Sequence, residues 1–315
     1  VNALADNTTG ANNTAVGRGA LESNTTAGNN TAVGYNSLTA ATTATENTVI
    51  GYQAGAAITT GSSNNLFGYQ SGDNITTGYN NVCMGGFCMD LSAGVTGYSN
   101  VTVGNSGMRY MTTGHSNAGV GNGNLLDNTT GILNTAVGNI ALTNNTTGGL
   151  NTAVGAETLN TNTTGANNTA VGVAALTVAT TASNNTAVGT YALAADTTGY
   201  VNTAVGYYAA KTSTTSSAIV AVGAYALTSN TGADNTACGY YAGQTNTTGV
   251  NNTMLGYHAQ GSSAGANNEF TLGNGSVSAL RCADTSIAAL SDRRDKKDII
   301  DSSYGLEFIN KIRPV

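Results

Sequence analysis

The sequence predicts an all-β protein, a parallel β-solenoid of about sixteen coils, and three observations carry that expectation. The first is a repeat: glycine returns at 17, 34, 51, 68, 85, 104, 121, 138, 155, 172, 189, 206, 223, 239, 256 and 273 of the 315 residues. The spacing is 17, apart from one interval of 19 (Gly85 to Gly104) and one of 16 (Gly223 to Gly239). The second is the string before that glycine, often Asn-Thr-Ala-Val-Gly, as at Asn134–Gly138, Asn151–Gly155 and Asn202–Gly206. Its alternation and β-branched residues favour strand. The third is the frequency of glycine, which disfavours helix. Seventeen residues are too few for a strand-plus-helix unit and suffice for one coil. Sixteen coils at about 4.8 Å each give an expected rod of roughly 75 Å.

Each column of the repeat then has an expected role. The residue before the repeat glycine is apolar in all sixteen coils (Val16, Val33, Ile50, Val137, Val154 and equivalents), which reads as an inward core position. Three and four residues after the glycine come a small residue and often Leu, as in Ala20-Leu21, Ala141-Leu142 and Ala175-Leu176, a second inward pair. Asn-Thr-Thr-Gly follows, as at Asn145–Gly148. It reads as a turn in which Asn bonds nearby backbone and Gly supplies positive φ. One coil is therefore expected to be a short strand, a bend, a second short strand and a turn. Asn also stands four residues before the repeat glycine in 14 of 16 coils, the exceptions being Ile219 and Glu269. Stacked coils would align these amides into a hydrogen-bonded ladder.

Composition excludes several classes. Charged residues are 8%, against about 25% in an ordinary soluble domain. Like charges stacked in one column would repel, which explains the scarcity. The net charge of −6 argues against nucleic-acid binding through phosphates. No apolar run reaches the length of a membrane span, and no signal peptide is visible. A start at Val1 rather than Met reads as a mature fragment or a piece of a longer chain. Only 13 charged residues fall in 1–280, while 13 fall in the last 35 residues, so a boundary is expected near 280. Residues 1–280 are the solenoid, and 281–315 a linker and the start of another domain.

Few residues suggest chemistry. Cys83, Cys88 and Cys238 stand in small or apolar columns and read as core substitutes, and Cys83 and Cys88 could pair within the fifth coil. His115 and His258 have no carboxylate or Cys at ligand spacing, so no metal and no cofactor is expected. The Asn-x-Thr sequons are explained by turn and ladder chemistry. Tyr35, Tyr52, Tyr69, Tyr207, Tyr240 and Tyr257 follow the repeat glycine and read either as an exposed ladder or as packing between chains. The longer coil Gly86–Gly104 and the segment Ser213–Val220 break the pattern, and insertions in solenoids map to loops, often on a binding face.

The end of the chain resembles a known family. Ser291-Asp292-x-Arg294-x-Lys296-x-Asp298-Ile299 is followed by Leu306, Ile309 and Ile312, spaced for one face of a helix that Pro314 would stop. This stretch is similar to the start of the self-cleaving intramolecular chaperone domain of phage tail fibres and tailspikes. The resemblance covers about 25 residues and is specific in order and spacing. It implies a trimeric β-rich fibre, and a domain that drives trimerisation and then cuts itself off. On that resemblance Ser291 is the nucleophile, Lys296 its base, and the cut falls between Leu290 and Ser291. A lysine base requires a lowered pKa, from burial or from cations such as Arg294 and Lys297. The repeats are also similar to the coils of trimeric adhesin heads and viral fibres.

The expected function is that of a structural fibre protein of a virus or phage, mediating attachment to the host surface. Self-cleavage would be its one enzymatic act. The expected partners are two further copies of the chain in a homotrimer, other virion tail proteins, and a host-surface glycan or protein receptor. Neither nucleic acid nor membrane insertion is expected, and the location is the virion tail. The alternatives are a bacterial cell-surface adhesin of the trimeric autotransporter type and an ice-binding solenoid. The second is suggested by Thr129-Thr130 and Thr146-Thr147, although adjacent threonines in a strand point to opposite sides.

Overall fold

A computed structural model describes residues 2–91, 94–279 and 281. The chain separates into two units, Val1–Ser276 and Val277–Val315. The first is a β-solenoid. Its sixteen strands, from β1 (Thr14–Val16) through β5 (Val82–Met84) and β6 (Val101–Val103) to β16 (Phe270–Leu272), form one parallel sheet in sequence order. Each strand is three residues long and pairs in register with the next, as Thr135, Ala136 and Val137 do with Thr152, Ala153 and Val154. No helix occurs among the described residues. The expected C-terminal helix over Leu306–Ile312 lies outside them.

The expected second strand is absent among the described residues. That part of the coil is built from turns, because four positions per coil take positive φ. In the eighth and ninth coils these are Leu133 (57°), Gly138 (145°), Ile140 (50°) and Leu142 (52°). A backbone turned left-handed so often cannot run as a strand, yet it still bonds the coil above: the Leu142 N–H donates to Thr158 O at 3.0 Å and Asn144 N–H to Asn160 O at 3.1 Å. Left-handed leucines recur at Leu21, Leu38, Leu125, Leu159, Leu176 and Leu193. Each costs about 1–3 kcal/mol of backbone strain. Complete burial of the side chain contributes about 1.5–3 kcal/mol and offsets it.

The core also differs from expectation in which strand residue it holds. Val16 is 57% exposed and Ile50 40%, while Val137 and Val154 are also exposed and Val33 is half-buried; the neighbouring Ala32, Val49, Ala136 and Ala153 are fully buried. Alternation lets only the central residue of a three-residue strand point inward. The inward residue is mostly alanine, with Val49, Leu66 and Met254 in three coils, and is buried beside the column three after the repeat glycine (Ala20, Ala141, Ala175). Cys238, in the valine column, is exposed for the same reason, whereas Cys83 and Cys88 are buried as expected. The Ala-Leu pair after the glycine is buried as expected at all three quoted sites.

Core volume is conserved by exchange between columns. Where the leucine column holds Gly55 or Gly72, larger residues fill the space from elsewhere: a Cβ at Gly55 would lie 3.1 Å from both Ile58 Cδ1 and Leu66 Cδ1. Ile58 and Ile75 occupy the column seven after the repeat glycine, where Asn24, Asn128, Asn145 and Asn162 stand in other coils. The turn glycine is required for a different reason from the one expected. Gly148 has no positive φ; instead a Cβ there would overlap the Gly165 carbonyl oxygen of the next coil.

Two columns of buried amides run through the stack. In the expected one, Asn134 N–H donates to Asn117 Oδ1 at 2.9 Å, and its Nδ2 donates to the same oxygen at 3.2 Å and to Gly148 O at 2.9 Å. The second column lies in the turn: Asn145 Nδ2 donates to Asn128 Oδ1 and Asn162 Nδ2 to Asn145 Oδ1, both at 2.7 Å. It breaks where Ala41 follows Asn24 and Ala179 follows Asn162, and there the Oδ1 atoms of Asn24 and Asn162 are buried without partners. At pH 4, where Asp196 one coil on is protonated and can donate to the new Oδ1, an Ala179→Asn substitution is expected to stabilise the fold by about 1 kcal/mol, by giving Asn162 Oδ1 a donor. Urea unfolding checks it, and an unchanged midpoint would contradict the ladder's directionality.

The two changes of period are turn events. The coil of 16 shortens the turn to Asn230-Thr231-Gly232, and Asn230 Nδ2 reaches Gly232 O at 2.6 Å. In the coil of 19, Val95 pairs with Ile75 and its N–H donates to Asn74 O at 2.9 Å.

Candidate functional site: the outer sheet face and its flanking ladders

The outward strand residues make two columns along the sheet. The one before the repeat glycine is apolar throughout, and Val16, Ile50, Met84, Val103, Val120, Val137, Val154, Val205 and Leu272 are all exposed. The other, two residues earlier, is mostly Thr, with Asn65, Val82, Val101, Ala118, Val220 and Phe270. Neither column contains a charged residue. Exposed apolar side chains thus recur along the face from coil to coil, whereas monomers ordinarily carry them scattered singly.

Aromatic ladders flank this face. Tyr35, Tyr52 and Tyr69 stack with ring centroids 5.2 Å apart, and the Arg18 guanidinium lies over Tyr35 at 5.8 Å. Tyr79, Tyr98 and His115 form a second ladder at 4.9 and 4.5 Å. A third runs through Tyr208, Tyr225, Tyr241 and His258, with Lys211 Nζ 4.2 Å from the Tyr208 ring. Tyr207, Tyr240 and Tyr257 line it edge-on. Both histidines are thus rungs of aromatic stacks. Each such pair is worth about 0.5–1.5 kcal/mol beyond its buried area. Of the Thr pairs, Thr129 and Thr146 spend their hydroxyls on the next coil's backbone at 3.0 Å, while Thr130 and Thr147 face outward.

Carboxylates gather at the long coil. Asp73 and Asp90 are vertical neighbours in one column, and Arg109 follows them. Arg109 Nε donates to Asp90 Oδ1 at 2.8 Å and Nη2 to Oδ2 at 3.3 Å. Burial, then the Asp90 charge, pushes Asp73 up to about 6. Asp196, in the second amide column, is pushed to about 6 by burial, against hydrogen bonds from Gly199 N–H at 2.8 Å and Asn202 Nδ2 at 3.4 Å. Raised folded-state values mean that the folded chain holds its proton longer than the unfolded one. The stability from Asp196 is therefore full below about pH 4 and lost as pH rises through about 6. Asp196→Asn is expected to leave the melting midpoint unchanged at pH 4 and to raise stability by about 2 kcal/mol at pH 8. An equal gain at both pH values would contradict the buried carboxylate.

No cluster of three metal-ligating side chains and no cavity occurs among the described residues. Ser291 and Lys296, with the Leu290–Ser291 bond, lie outside them. No protein-family model matches the chain, and no curated protein or solved structure matches it either.

Proposed function

We propose that this chain is the shaft of a homotrimeric fibre of a virus or phage, carried on the virion tail and reaching the host surface. The observation that carries the reading is the unbroken apolar column on the outer sheet face. Its rungs recur once per coil, and a second copy of the same chain offers the same spacing along its whole length. A closed symmetric assembly buries the three faces together. The interior of one coil, filled by Ala and Leu, is thin for independent stability, and the apolar face supplies the missing burial. The resemblance of Ser291–Val315 to a fibre chaperone supports three as the number. The aromatic ladders beside the face are the surface offered to a host glycan or protein receptor.

Because sliding by one repeat matches nearly every column, three chains need a register set outside the coils. The charged segment after residue 280 is the candidate for that role, with Ser291 and Lys296 allowing its release. The test pairs two substitutions on the outer face, Val120→Lys and Val154→Lys. Loss of the trimer with the coils still folded is expected. A trimer unaffected by both would place the interface elsewhere. Separately, self-cleavage seen on a denaturing gel is expected to stop in Ser291→Ala, and cleavage continuing in both Ser291→Ala and Lys296→Ala would remove that pair from the mechanism.

A further inference from the structure

We propose that Cys83 and Cys88 form a disulfide across the interior of the fifth coil. The two residues stand two before and three after the repeat glycine Gly85, and both are fully buried. Those two columns oppose each other at very short range. In the sixth coil Gly107 stands opposite Thr102, and a Cβ at Gly107 would overlap the Thr102 hydroxyl oxygen. In the seventh coil the roles reverse: Gly119 stands opposite Asn124, and a Cβ at Gly119 would overlap the Asn124 amide oxygen. In these two coils a Cβ of one column would meet the side chain of the other at less than van der Waals separation, so the two columns are direct neighbours across the interior. That closeness is what a disulfide needs, with Cβ atoms about 3.5–4.5 Å apart.

The fifth coil puts two sulfurs into this gap. The two coils that follow each give up one side chain there. In the structure the two are free thiols hydrogen-bonded to each other, so the sulfurs already face one another across the gap, and the bond needs only their approach to about 2.05 Å. Ser71 from the preceding coil closes the other side, its Oγ 3.2 Å from Cys88 Sγ and 3.3 Å from Cys83 O. The bridge pins the start of the longest coil, the one of 19 residues.

The oxidant is a small-molecule disulfide such as oxidised glutathione. One cysteine thiolate attacks it and expels one thiolate. The other cysteine then attacks the mixed disulfide and expels the second. The protein loses two electrons and two protons, and the oxidant becomes two thiols. Exchange requires an accessible thiolate. In the closed coil both sulfurs are enclosed, and burial pushes the Cys83 thiol well above its ordinary value. The bond therefore forms while the coil is still open and is shielded once neighbouring coils cover it.

The test refolds the full, fully reduced chain in a glutathione redox buffer, then unfolds it in excess alkylating reagent and maps the peptides. The peptide carrying Cys83 and Cys88 is expected to be lighter than its reduced form by two hydrogens and to carry no label. Cys238 and Cys282 serve as controls and take label once mixed disulfides have been excluded by mass. In Cys83→Ala, Cys88 is expected to become labelled. The bond is also expected to survive dithiothreitol in the folded protein and to be reduced in urea. Label on both Cys83 and Cys88 after refolding, in a chain whose circular dichroism shows the native sheet, would overturn the proposal.

Discussion

Gly138→Ala is expected to break the stack, with a loss of about 2–6 kcal/mol. Gly138 has φ of 145°, a conformation L side chains rarely adopt, and a Cβ there would overlap the Gly155 carbonyl oxygen in the next coil. Neither group can retreat. The Gly155 N–H donates to Val137 O at 2.8 Å, while the Gly138 N–H donates to Val120 O at 2.8 Å, so both backbones are fixed by the coils around them. Coils contact only their neighbours, and stability in such a stack is a sum of local and interface contributions. Damage at this coil should therefore split unfolding into two transitions. Gly86→Ala is the control, because a Cβ there meets nothing closer than Tyr69 O at 3.5 Å. Identical unfolding of the two variants would contradict the close-approach reading of the repeat glycine.

The second large effect belongs to the amide column. Asn134→Leu is expected to cost about 1–3 kcal/mol. The leucine removes the donor to Gly148 O and the acceptor of the Asn151 N–H, which Asn134 Oδ1 holds at 3.0 Å. The Asn151 N–H is buried and would be left without a partner, while Gly148 O would keep only its bond from Asn145 Nδ2 at 2.9 Å. The chain itself contains one such interruption at Ile219. There the Ile219 N–H still donates to Asn202 Oδ1 at 3.1 Å, and the next amide, Asn235 Nδ2, crosses to Asn230 Oδ1 at 3.0 Å. That crossing depends on the shortened turn beside it, which the coil of Asn134 lacks. Denaturant unfolding of Asn134→Leu checks the figure, and a change within about 0.5 kcal/mol, as for an ordinary surface site, would contradict it.

The period, the strand, the leucine column and the first amide ladder were legible because each column keeps one chemistry through most coils. The side of the sheet on which valine lies was not. With three-residue strands, alternation leaves both faces open, and the central residue, mostly Ala but also Val49, Leu66 and Met254, proved to be the inward one. The left-handed leucines carry no residue-type signal, since Leu is not a residue that favours positive φ. The second amide column was hidden by a correct local reading: Asn145 Nδ2 does bond Gly148 O, at 2.9 Å, and it also bonds Asn128 Oδ1. The exchange of Asn for Ile58 and Ile75 in that column was the available clue, because a turn in solvent does not take isoleucine. The surface offered to partners was half legible: the valine column and the tyrosines were singled out, but valine was assigned to the inside.

Light scattering on the purified full chain tests the central claim most directly, that the outward valine column is the contact between three copies. A folded species at three times the chain mass of 31.4 kDa is expected, falling to one chain mass, with the sheet intact, when Val120 and Val154 are both changed to Lys. A stable folded monomer of the unaltered chain would contradict it.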